Sequence, residues 1–162
     1  MSTTDLSSYN KELLPDASSM RIGIVVSEWN SDITENLLRG ALETLTDCGV
    51  TLDYIKIVHV PGSFELPSGA QALLENTKVE AVITLGCVIR GETPHFDFVC
   101  QACAMGVQNV SLKYNKPVIF GVLTDNNIDQ SRARSGGALG NKGVEAAITA
   151  IKMISLKRQL ED

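Results

Sequence analysis

The sequence predicts an α/β domain: a three-layer α/β/α sandwich on a four-stranded parallel sheet. Three observations predict it. Four short runs rich in Val and Ile alternate with segments whose apolar residues recur at three and four. Such alternation forces right-handed crossovers, hence a parallel sheet with helices on both faces. The first run, Arg21-Ile22-Gly23-Ile24-Val25-Val26-Ser27, is apolar almost without interruption, as a strand buried on both faces must be. Finally, 162 residues with 44% hydrophobic and 20% charged content suffice for one core without staples or metals.

Residues 1–20 are Ser/Thr-rich and read as an arm, and the first strand covers 21–27. Ile33, Leu37, Leu38, Ala41, Leu42 and Leu45 then mark a helix that Ser31 or Asp32 can cap and Gly49 can end. Residues 52–60 read as the second strand, with Ile55, Ile57 and His59 on one face, before Pro61-Gly62 breaks the chain. A helix over 65–77 carries Pro67 in its first turn, where a missing N–H costs nothing. The third strand lies within 79–89, a long helix follows over 95–114, and the fourth strand spans 117–123. Asp125 to Asn127 can cap a short helix to about 135. Ser135-Gly136-Gly137-Ala138-Leu139-Gly140 is a break, and the last helix runs over 141–158 with Val144, Ile148, Ile151 and Ile154 in period. The expected organisation is an arm (1–20), one domain (21–158) and a short tail (159–162).

Net charge is -5 and no basic cluster runs along the chain, which argues against a nucleic-acid partner. The first 20 residues lack the basic start and apolar centre of a signal peptide, and no window approaches the ~20 apolar residues of a membrane span. The expected compartment is the cytoplasm. Cys48, Cys87, Cys100 and Cys103 then read as reduced core thiols. Cys100-Gln101-Ala102-Cys103 lies too far inside its helix for a redox pair and lacks further zinc ligands.

In a parallel sheet the strand carboxyl ends share one rim, where ligands bind. The unusual segments fall there: Ser27-Glu28-Trp29-Asn30, Pro61-Gly62-Ser63-Phe64-Glu65, Gly86 to His95, and Thr124 to Asn127. His95 opens a helix and titrates near neutrality, which suits proton transfer or simple capping. Gly91-Glu92-Thr93 offers free N–H groups and a hydroxyl for an anion or for capping, and Glu92 is expected to point away. Trp29, the only tryptophan, could stack on a flat heterocycle or lid the core. Phe64 could line a site or staple the next helix. Arg132, Arg134 and Lys142 flank the glycine-rich break as phosphate grips or solvated charges. That break fails as a phosphate loop, because Gly-Asn-Lys-Gly follows a helix and lacks the Gly-Lys-Ser/Thr order. His59, inside a strand, reads as structural.

Trp-Asn after the first strand, Pro-Gly-Ser-Phe-Glu, Gly-Cys-Val-Ile-Arg-Gly-Glu-Thr-Pro-His-Phe-Asp, Ile-Phe-Gly-Val-Leu-Thr and Gly-Asn-Lys-Gly together resemble the lumazine synthase family in order and spacing over about 20–158. The resemblance implies a flavodoxin-like sheet of order 2-1-3-4. It implies a transferase of riboflavin biosynthesis with two small-molecule substrates, 5-amino-6-(D-ribitylamino)uracil and 3,4-dihydroxy-2-butanone 4-phosphate, and no metal or organic cofactor. By matching positions, Trp29 stacks on the pyrimidine, Ser63, Phe64 and Glu65 hold the ribityl chain and ring edge, and Cys87, Val88 and Ile89 contact the pyrimidine. Glu92 and Thr93 receive the phosphate and His95 moves protons. Phe120 and the phosphate-gripping Arg134 come from a neighbouring subunit, with Lys142 near. The family assembles as pentamers, some packed into icosahedral shells. The short turn from Ser135 to Asn141 favours a shell, and association with riboflavin synthase is left open. Two positions depart from the family pattern: Ala133 stands where relatives often carry a carboxylate, and Pro94 where Thr is frequent.

Overall fold

A computed structural model describes residues 7–161. Four parallel strands, β1 (Ile22–Ser27), β2 (Ile55–Val60), β3 (Ala81–Ile89) and β4 (Val118–Asp125), form one sheet of order β2-β1-β3-β4. The crossovers are α1 (Ser31–Asp47), α2 (Leu66–Asn76) and α3 (His95–Tyr114). After β4 come α4 (Ile128–Arg134), a small antiparallel ribbon of β5 (Ser135–Gly137) and β6 (Gly140–Asn141), and α5 (Lys142–Glu161). Order and layers match the fold the sequence predicts. Among the described residues no helix is long and apolar enough to cross a membrane.

Side chains alternate across a strand, so central β1 feeds two cores. Ile22, Ile24 and Val26 pack with Ile33, Leu37, Leu45, Ala147, Ile151 and Ile154 beneath α1 and α5. Val25 joins Leu66, Leu73, Val82, Cys103 and Val107 beneath α2 and α3. All six β1 residues are buried, which is why that run shows no polar alternation.

The second strand departs from expectation. Residues 52–54 form a 3-10 turn, and β2 begins at Ile55. Ile55 is buried, but Ile57 is 41% exposed and His59 is exposed, paired with Glu35 at 3.1 Å. The reason is position: among the described residues β2 is an edge strand with β1 as its only neighbour, so its face is only partly covered. The fourth strand runs two residues further than expected, to Asp125. The predicted break is instead the β5–β6 ribbon, turned by Gly136 (φ 112) and Gly140 (φ 78).

The expected arm and tail also differ. Ala17 and Met20 are buried in the core, and Tyr9 and Lys11 both hydrogen-bond Asp47, so residues 7–20 lie against the domain. Residues 1–6 of the expected arm, and Asp162, lie outside the described residues. α5 continues to Glu161, and Arg158 in its last turns pairs with Glu80 at 2.8 Å. Of the four cysteines expected in the core, Cys87 and Cys103 are buried and Cys48 and Cys100 half-buried.

α1 and α5 cross closely because Gly143 has no side chain. A Cβ there would lie 1.9 Å from the Leu37 carbonyl oxygen. Asn141 locks the crossing, donating from Nδ2 to the Asn36 carbonyl at 2.9 Å and accepting the Gly143 N–H at 2.8 Å. This crossing fixes the ribbon and the end of α4. Gly143→Ala is therefore expected to destabilise the fold by about 3 kcal/mol or more. Urea unfolding that moves by less than about 0.5 kcal/mol would contradict the close crossing.

Candidate active site

The four strands run parallel in register, with Ser27 beside Val60 and Ile89 beside Asp125, so their polar ends form one rim. At the end of β1 the chain must turn sharply into α1. Asn30 makes that turn in the left-handed region (φ 58, ψ 45), a conformation asparagine tolerates better than most residues. Its Nδ2 donates to the Cys87 carbonyl at 2.9 Å, binding the turn to the end of β3. Trp29 is left 66% exposed beside it. A Cβ on Gly62 would meet the Trp29 ring at 2.5 Å, so Gly62 lets the indole lie on the backbone after β2.

That backbone is itself shaped by a capping box. Glu65 Oε2 accepts the Gly62 N–H at 3.0 Å, closing the 3-10 turn Ser63–Glu65 that leads into α2. Phe64 is 58% exposed, as a ring lining a hollow rather than a core staple would be. Ser63 points inward. Its hydroxyl and that of Ser27 are buried without a hydrogen-bond partner among the described residues. Both approach Gly86, where a Cβ would lie 2.6 Å from Ser63 Oγ and 3.4 Å from Ser27 Oγ.

Trp29, Asn30, Ser63, Phe64, Glu65, Cys87, Val88, Ile89, His95 and Val99 line one hollow of about 500 Å³. Seven of the expected site residues before position 90, together with His95, are thus brought together. Asn30 and Val99 were missed as site residues. The Trp-Asn pair was a usable signal for Asn30, since asparagine after a strand often takes the left-handed turn; Val99 carried no signal. Glu92 and Thr93 are exposed on the loop before α3, and His95 is exposed at its first turn. Pro94 supplies no side-chain cap, and among the described residues no acceptor takes the N–H of Thr93, His95 or Phe96. The loop is steadied by Arg90, which stacks over Phe96 at 4.2 Å and pairs with Asp97 at 2.9 Å.

Phe120, Arg134 and Lys142 lie elsewhere. They line a second hollow of about 510 Å³ on the β4 side of the sheet, with Asp125 and Glu145, and share no lining residue with the first. Phe120 is 42% exposed on an edge strand. Arg134 Nη1 donates to the Gln130 carbonyl at 3.0 Å, while Lys142 Nζ sits 2.6 Å from Glu145 Oε2. Arg132, the other candidate arginine, pairs with Asp129 at 3.4 Å and lines neither of these hollows. Of the segment from Asp125 to Asn127 expected to cap α4, Asn127 does so by accepting the Gln130 N–H, and Asp125 is the last residue of β4.

Burial works against the thiolate form at both buried cysteines. Burial pushes the Cys87 thiol up, against the lowering effect of its hydrogen bond to Ser131. Burial, with a smaller push from Cys100, moves Cys103 from its ordinary 9.0 up to about 12. Cys103 therefore costs nothing below its unfolded value. As pH rises past 9.0 the unfolded chain ionises while the folded chain does not, so stability falls toward about 12. Urea midpoints should drop more from about pH 8 to about pH 10 in the parent protein than in Cys103→Ala; equal drops would contradict the assignment.

The sequence model of 6,7-dimethyl-8-ribityllumazine synthase matches residues 19–158. Among similar proteins, the 6,7-dimethyl-8-ribityllumazine synthase of Flavobacterium johnsoniae is 54% identical over 155 residues, covering 96% of this chain and 82% of that protein. That of Parabacteroides distasonis is 54% identical over 151 residues, covering 93% and 94%. That of Cytophaga hutchinsonii is 55% identical over 157 residues, covering 96% and 98%.

Proposed function

Because the chain belongs to the 6,7-dimethyl-8-ribityllumazine synthase family, we propose that its two hollows are halves of one active site, completed between neighbouring subunits. The protein is a transferase of riboflavin biosynthesis. It condenses 5-amino-6-(D-ribitylamino)uracil with 3,4-dihydroxy-2-butanone 4-phosphate to 6,7-dimethyl-8-ribityllumazine, phosphate and water.

One observation carries the two-subunit reading. Phe120 and Arg134 open onto a hollow separate from the one lined by Trp29, Phe64 and His95. The surface supports self-association. α3 is 20 residues long yet buries only Cys103, Val107 and Val110, and it exposes Phe98, Met105 and Leu112 at seven-residue spacing. Such a stripe on a lone subunit is unfavourable and marks a helix awaiting a partner.

In this reading Trp29 stacks on the pyrimidine, and the backbone of Cys87, Val88 and Ile89 meets the ring edge. Ser63, Phe64 and Glu65 hold the ribityl chain. The free N–H groups around Glu92 and Thr93 seat the phosphate at the start of α3, where the helix dipole favours an anion. Arg134 of the neighbour closes on it, with Phe120 against the heterocycle and Lys142 nearby. The substrate amine attacks the ketone carbon. His95 carries protons between the amine and the oxygen that leaves as water, giving an imine. Phosphate then leaves into the positive seat as the adjacent carbinol becomes a carbonyl, and the ribitylamino nitrogen closes the ring on that carbonyl with loss of a second water. Much of the gain comes from holding two substrates together.

The assembly is a cyclic pentamer packed into a shell in the cytoplasm, a reading the short β5–β6 turn supports. Light scattering after size exclusion checks it: a discrete five-chain mass would refute the shell and keep the ring. The reaction is checked by mixing both substrates and following lumazine fluorescence. His95→Ala is expected to lower kcat/KM by about 100-fold or less, since amine addition to a ketone proceeds slowly unaided. Arg134→Ala should cost more than about 100-fold, because an ungripped phosphate substrate is lost. The reverse order would overturn these roles.

A further inference from the structure

We propose that Asp125, backed by Ser131, is a positioning residue that orients the Arg134 guanidinium for the phosphorylated substrate. The proposal deepens the site described above and rests on Arg134 gripping the phosphate.

Asp125 ends β4 with its side chain nine-tenths buried. A carboxylate taken that far from water is costly unless it is bonded or paired. Here it is both. Its Oδ2 accepts from Ser131 Oγ at 2.9 Å, and its Oδ1 stands 3.9 Å from Arg134 Nη1. Ser131 is fully buried and lies three residues before Arg134 on α4, so it holds the carboxylate on the face of the helix from which the arginine departs. The same Nη1 donates to the Gln130 carbonyl at 3.0 Å. One hydrogen bond, to the Gln130 carbonyl, and one longer ion pair, to Asp125, thus meet at one nitrogen of the fork. Among the described residues nothing accepts from Arg134 Nε or Nη2, which leaves those donors for an anion.

Asp125 also bonds to the chain that leaves the end of β3. Its backbone carbonyl accepts the Arg90 N–H at 2.9 Å, fixing the entry to the Glu92–Thr93 loop. Ser131 Oγ also takes the Cys87 Sγ at 3.4 Å. The residue that aims the arginine of one half-site therefore also anchors the loop of the other.

A flexible arginine loses side-chain freedom when it closes on a phosphate, and one already tethered loses less. The carboxylate also repels an anion. The two effects have opposite signs, so the direction of the change on removing the charge decides between them.

The test uses the full assembled enzyme. Steady-state kinetics vary each substrate separately, and inorganic phosphate serves as a competitive probe. Asp125→Asn keeps an acceptor for Ser131 and removes the charge. It should raise the KM for the butanone phosphate and the Ki for phosphate by roughly five- to tenfold, with the KM for the ribitylaminouracil changed less than about twofold. Ser131→Ala should show the same selective pattern more weakly, and Asp129→Asn, which unpairs only Arg132, should leave both KM values unchanged. A lower KM for the phosphorylated substrate in Asp125→Asn, or an equal shift for both substrates, overturns the proposal. If Asp125→Asn fails to assemble, Ser131→Ala decides: an unchanged phosphate Ki at the parent's Tm overturns it equally. Arg134→Ala separates the two levels. A selective loss there without one in Asp125→Asn defeats only the tether, whereas no selective loss in Arg134→Ala defeats the phosphate grip and the tether together.

Discussion

Ser27, Val60, Ile89 and Asp125 finish their strands at one edge because all four strands run parallel and stay in register. Everything chemical depends on that constraint. Parallel strands must be joined by crossovers, so each strand end is followed by a turn into a helix, and the polar residues of those turns converge. The rim then needs precise turns. Asn30 in the left-handed region, the Glu65 carboxylate on the Gly62 N–H, and Gly86 beneath two serine hydroxyls are the local devices that bring Trp29, Phe64 and the end of β3 to one hollow. None of these three residues adds bulk to the core. Each sets where a neighbouring residue stands.

The second hollow follows from sheet order. β4 lies at an edge, so the residues on its far side cannot face the pocket between the ends of β1, β2 and β3 within one chain. Phe120, Arg134 and Lys142 are accordingly directed outward. α3 buries only three of its 20 residues and carries an exposed apolar stripe of Phe98, Met105 and Leu112. Under the division proposed above, activity is tied to assembly: a subunit that fails to associate would hold two half-sites and complete neither. Charge follows the same logic. The chain is acidic overall at -5, yet its cations near the site are each set against a carboxylate, Arg90 on Asp97, Arg134 near Asp125 and Lys142 on Glu145. Local geometry, not net charge, decides where an anion can rest.

Much of this was legible in the chain itself. The strand count, the parallel direction of the strands and the bounds of α3 follow from periodicity, because burial on both faces erases alternation while a helix keeps its 3.6-residue beat, and the strand order follows from the family resemblance. The motifs at the strand ends identified Trp29, Ser63 to Glu65, Cys87 to Ile89 and His95 as neighbours. Elsewhere the sequence misled. Residues 52–60 look like one strand, yet 52–54 form a 3-10 turn, and of the face shared by Ile55, Ile57 and His59 an edge position leaves the last two exposed. The stretch before residue 21 looks like an arm, yet Ala17 and Met20 fill the core. Both errors have one cause: local pattern reports what a segment can bury, and packing decides whether a partner is there to bury it.

The sequence by itself determined the fold class, the family and the residues on the rim, since these depend on short-range spacing and on motifs carried intact along the chain. Only the tertiary structure decided that those residues divide between two hollows, and that Asp125, just before the capping Asn127, has its carboxylate buried between Ser131 and Arg134. The physical reason is that a side chain's partner is set by which strand stands beside it and which face is covered, and neither is written in the spacing of its own segment.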